Sequence, residues 1–193
     1  MFSTFNLTEL RLETGDIILF RKKVPYWKWV LNMSPVVSIG IVLKDPVWYD
    51  ANAKGIYIVM NAWSIPIFEH YTLTITPLHT YIYQTNYHTY VRLLRLEKST
   101  KFRTKINQAC ELLWKDNSTK TCRQFLSIDS NMEVMEPKCW MSSFVASVYN
   151  YAGIFGYFHR ISNMIPNNFS VYDNYPISLK QGSLSEEFYI NTS

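Results

Sequence analysis

The chain has 193 residues, 48% hydrophobic and 18% charged, which fits one globular domain with a sizeable core and excludes a disordered or low-complexity segment. A formal net charge of +4 is too small to call for nucleic acid, and no run approaches the ~20 apolar residues that span a bilayer. Three cysteines (Cys110, Cys122, Cys139) without a CxxC pair point to free thiols in a reducing, cytoplasmic setting, and the acid-containing N-terminus is no secretory signal.

In chain order, the apolar run 17–20 follows Gly15-Asp16 and ends in Arg21-Lys22-Lys23, which predicts a buried strand emerging into solvent. Residues 26–33 are aromatic and predict one or two helical turns, stopped by Ser34-Pro35. Strands are predicted over 36–43, 56–62, near 65–76 and over 89–96, with a turn at Asp45-Pro46. Ser99 or Thr100 can cap a helix over 101–116, whose Phe102, Ile106, Ala109, Cys110 and Leu113 form one apolar stripe. A polar, irregular stretch covers 117–138. A second helix over 141–152 buries Phe144, Val145, Val148 and Ala152, with Gly153 placed to cap it. Residues 161–193 read as an irregular C-terminal tail around a core of about 14–160. Strands first and helices after is the α+β order: a mostly antiparallel sheet or partial barrel of five to six strands, packed by two main helices.

Two basic clusters stand out. Arg21, Lys22, Lys23 and Lys28 interleave with Tyr26, Trp27 and Trp29, and Arg92, Arg95, Lys98, Lys101, Arg103 and Lys105 follow later. They read as a strand exit and a solvated helix face, or as contacts to anionic lipid headgroups or phosphate.

Six short matches in order resemble the circularly permuted NlpC-like papain-fold hydrolases, a group with bacterial lipid- or murein-directed members and a poxvirus branch. They are Gly15-Asp16-Ile17-Ile18-Leu19-Phe20, Ser34-Pro35-Val36-Val37-Ser38-Ile39-Gly40-Ile41, Met60-Asn61-Ala62, Val91-Arg92-Leu93, the helix from Met141-Ser142-Ser143-Phe144-Val145-Ala146 to Ala152-Gly153-Ile154, and Met164-Ile165-Pro166-Asn167-Asn168-Phe169. The resemblance spans about residues 14–170 and implies a permuted papain-like fold, a single domain over 1–193.

A thiol hydrolase of this kind needs a thiolate at a helix start, an imidazole on a neighbouring strand, and a polar group that orients the imidazole. By the resemblance, the thiolate position is Met141, the histidine position Ser38 and the orienting position Asn61, so both reacting groups are replaced. Cys139, two residues upstream of the nucleophile position, is the alternative nucleophile, paired in a shifted geometry with His159 or His79. A serine nucleophile at Ser38 lacks an evident base. His70, His79, His88 and His159 otherwise read as surface or tail residues.

The expectation is therefore a pseudoenzyme, a binding or structural protein, viral or a virion component if the poxvirus branch applies. An active amidase, peptidase or acyltransferase using Cys139, or a peripheral lipid-binding module, are the alternatives. The expected partner is a protein, or a lipid or acyl ligand beside Lys23, Tyr26, Trp27 and Trp29. No metal or other cofactor is expected, because no ligand spacing or glycine-rich phosphate loop occurs.

Overall fold

The continuous apolar run after Gly15-Asp16 becomes the middle of a sheet. In the computed structural model, which describes residues 4–23, 36–61, 73–117, 140–155, 164–173 and 176–191, Ile17 to Phe20 are fully buried. Burial on both faces is what such an unbroken run requires. It lies in β2 (Ile17–Lys22), between β3 (Val36–Lys44) and β6 (Tyr87–Arg92).

The remaining strands are β1 (Thr4–Phe5), β4 (Ile56–Asn61), β5 (Leu73–Pro77), β7 (Leu94–Arg95), β8 (Ser183–Leu184) and β9 (Phe188–Ile190). Seven of them form one sheet in the order β1-β9-β6-β2-β3-β4-β5, and β7 pairs with β8 apart from it. The six strands from β9 to β5 are antiparallel; only the β1–β9 edge pair is parallel. The helices are α1 (Leu78–Gln84), α2 (Ser99–Asn117) and α3 (Trp140–Tyr151), and Pro166–Phe169 is a 3-10 turn. The class is α+β with a mainly antiparallel sheet, as the element order predicts.

Residues directly opposite each other on paired strands share a face, and neighbours along a strand alternate. Ile18, Phe20, Ser38, Gly40, Thr89 and Val91 therefore lie on one face; Ile17, Leu19, Arg21, Ile39, Ile41, His88, Tyr90 and Arg92 lie on the other. The first face meets α1, where the Tyr81 ring sits edge-on to Phe20 at 5.3 Å. The second meets the C-terminal segment: Arg21 reaches Ser170, and Arg92 donates to the Phe169 carbonyl. α3 packs on β3 and on the 3-10 turn of that segment. Gly40 lets β4 lean across β3, since a Cβ there would lie 2.5 Å from Ile58 and 2.8 Å from Met60.

Three sequence expectations change. The connection after β5 holds α1, unforeseen because Leu78-His79-Thr80-Tyr81-Ile82 is short and rich in β-branched and aromatic residues. The C-terminal tail is not irregular throughout: β8 and β9 pair with β7, β6 and β1. Arg21, Arg92 and Arg103 are not surface cations: the first two are buried, and Arg103 donates to the Thr14 and Leu94 carbonyls. The predicted turns over 26–33 and the irregular stretch 118–138 lie outside the described residues.

Candidate functional site

The Gly15-Asp16 pair proves to be a structural junction. Asp16 is buried, and its two carboxylate oxygens accept from the Glu13 and Leu94 amides, both at 2.8 Å. Its own carbonyl accepts from the Val42 amide at 2.8 Å. Burial raises its carboxyl to about 6, against those two hydrogen bonds and the Arg103 guanidinium at 3.9 Å. Tyr149 of α3 donates its hydroxyl to the Gly15 carbonyl at 2.6 Å. One dipeptide thus ties β2, β3, β7, α2 and α3 together.

The first turn of α3 holds Met141 at the aligned nucleophile position. Immediately after it, Ser142 donates to the Met164 carbonyl, and Phe144, Val145 and Ala146 are buried. That end of the helix is thus committed to packing. Ser38 stands half-buried on β3 opposite Phe20, on the α1 face, whereas α3 meets the face that carries Arg21 and Arg92. Asn61 ends β4 opposite Leu73, and alternation from the Ile41–Val59 pair puts its position on the face opposite Ser38. The sheet register does not gather the three aligned positions into one triad.

Neither of the two described imidazoles repairs this. His79 is exposed on α1 and sits 3.1 Å from Thr80 Oγ1. His88, on β6, lies 3.5 Å from the Tyr189 hydroxyl, and burial, with Lys23 nearby, lowers its basicity. Cys139, His70, His159, Cys122, Tyr26, Trp27 and Trp29 lie outside the described residues; Lys23 is exposed where β2 ends. Cys110 is fully buried on α2, and burial pushes its thiol up, away from the reactive thiolate.

The best-built polar cluster is one the sequence did not reveal. Arg21 Nη2 donates to Ser170 Oγ at 2.7 Å and to both Glu187 oxygens at 3.1 Å. Ser170 donates to Glu187 Oε1 at 2.6 Å, which also accepts the Val171 amide at 3.1 Å. The guanidinium carbon lies 5.4 Å from the Tyr90 ring centre and 5.7 Å from that of Tyr172. Beside it, buried Arg92 caps the carbonyls of Ser185, Phe169 and Leu184. These contacts lock the C-terminal segment onto the sheet, with both Glu187 carboxylate oxygens engaged.

An open groove of about 540 Å3 runs between α2 and the turn before β2, lined by Glu13, Thr14, Lys44, Arg103, Thr104 and Asn107 among others. Its charges are already matched, Lys44 by Glu13 at 2.9 Å and Arg103 by carbonyls. Among the described residues no cluster of three His, Cys, Asp or Glu side chains could hold a metal, and no helix is long and apolar enough to cross a membrane. No protein-family model matches the chain, and no curated protein matches it.

Proposed function

We propose that the chain is a permuted NlpC-like papain-fold domain that has lost catalysis and acts by binding, as a structural or interaction protein such as a virion component. The observation that carries this reading is the start of α3, where the nucleophile position is Met141, a thioether with no proton to lose. The strand position aligned with the base is Ser38, on the face of the sheet that meets α1. A nucleophile without a base within hydrogen-bond reach gains no activation.

The test is labelling at neutral pH with a thiol-directed epoxide or iodoacetamide probe, comparing wild type with Cys139→Ala. The expected result is slow labelling with no saturable component. Cys110 should stay unmodified until urea unfolds the chain, because it is fully buried. Fast, saturable labelling lost in Cys139→Ala would establish an activated thiolate and overturn the reading in favour of a thiol hydrolase or acyltransferase.

A further inference from the structure

Two exposed lysines and an exposed tyrosine share one end of the sheet, and a second exposed tyrosine lies four residues before the first in the chain, near the end of α1. β2 leaves the sheet through Lys22 and Lys23, both exposed. Lys22 pairs directly across the strands with Tyr87, the first residue of β6. Tyr87 is 37% exposed, and Tyr83, at the end of α1 just before β6, is 67% exposed, the most open aromatic ring among the described residues. Partial burial, with the charge of Lys23 adding to it, lowers the basicity of the neighbouring His88.

We propose that this end of the sheet is a docking surface for an anionic lipid bilayer. Tyrosine has a ring that gains by leaving water and a hydroxyl that keeps a hydrogen bond, so it suits the headgroup zone. Lysine adds attraction to anionic headgroups while its methylene stem lies along the apolar boundary. Charge complementarity alone does not single out the site, since Lys98 and Lys101 are exposed at the opposite end of β6. What distinguishes the Lys22 end is the open rings that accompany the charges; Phe102, which follows Lys101 in the chain, is half-buried. A bilayer interface takes exposed rings and ammonium groups together. The inference does not depend on whether Cys139 is catalytic.

Flotation with phosphatidylcholine vesicles, with and without 30% phosphatidylserine (~30 mol%), at low and high salt tests it. The wild type should float only with phosphatidylserine and be released by salt. Lys22→Gln with Lys23→Gln should weaken binding roughly 25-fold, from ~1 kcal/mol per cation near the surface. Tyr83→Ser with Tyr87→Ser should weaken it too, and leave residual binding that salt abolishes completely. Lys98→Gln with Lys101→Gln, which removes the same charge elsewhere, should bind as wild type. Wild-type binding indifferent to phosphatidylserine overturns the proposal without recourse to any variant. So does weakening by the Lys98 and Lys101 pair alone, or retention of the wild type on duplex DNA but not on vesicles.

Discussion

Glu187→Gln keeps the side chain's shape and one carbonyl acceptor but removes its charge, so that Arg21 loses the carboxylate it is bonded to. The side chains of Arg21 and Glu187 are only 5% and 0% exposed, so water cannot take over the lost interaction. Breaking one half of a buried ion pair typically costs ~3–5 kcal/mol. The Tyr90 and Tyr172 rings beside the guanidinium retain part of its stabilisation, which places the expected loss near the lower end, about 3 kcal/mol. For a domain of this size that is a fall in Tm of roughly 6–12 °C. Urea unfolding followed by circular dichroism, with calorimetry for Tm, measures it. Because the pair is buried, raising salt should leave the difference in place. The double change Arg21→Met with Glu187→Leu should recover only part of the loss, because apolar packing replaces the ion pair but the Ser170 hydroxyl and the Val171 amide lose their acceptor. A Glu187→Gln protein within ~0.5 kcal/mol of wild type, the scatter of an ordinary surface change, would refute the reasoning.

Asp16 predicts a pH effect of defined sign. Its folded value of about 6 exceeds its reference value of 3.8, so the folded state binds the proton more tightly. The stability it contributes is full below the reference value and is lost as pH rises through about 6; between pH 5 and 7.5 that is a fall of ~1.4 kcal/mol. Urea midpoints at the two pH values should show it, and Asp16→Asn should remove that component. Gly15→Ala and Gly55→Ala separate strain from clash, because both glycines have positive φ, +98° and +100°. A Cβ at Gly15 would lie 2.5 Å from Ile106 Cδ1, whereas nothing lies within 4 Å at Gly55. Gly55→Ala should cost about 1 kcal/mol and Gly15→Ala about 2–4 kcal/mol by chemical denaturation; equal costs would mean that Ile106 gives way freely.

The parts of the fold legible in the sequence are those where burial and periodicity agree. Ile17 to Phe20, Val36 to Leu43 and the 141–152 stripe read directly as two central strands and a helix because each is apolar where the interior demands it. Boundaries blurred at the ends: β6 begins at Tyr87, earlier than the predicted 89, since Tyr87 and His88 are polar enough to resemble a turn. β9 escaped because Phe188-Tyr189-Ile190 is only three residues long, behind two glutamates. Nothing in the local sequence distinguishes one glutamate from the other, but Glu187 is buried. Its partner Arg21 is 166 residues away, and no local pattern carries a pairing across that distance. The candidate site suffered from the same limit: a motif match names positions, but only the register shows that Ser38 and the Asn61 position fall on opposite faces of the sheet.

The insertion of β9 between β1 and β6 sets an order of events during synthesis. β2 to β6 can pair as soon as residue 92 has left the ribosome, yet β6 then presents an unpaired edge until residues 188–190 emerge nearly a hundred residues later. β1 waits longer still, because among the described strands its partner in the sheet is β9, more than 180 residues further along. At ~5–20 residues per second, that edge stays open for about 5–20 s in every nascent chain. A nascent chain in that interval is a template for strand addition by its neighbours, so crowded polysomes are where this protein is most exposed to misassembly.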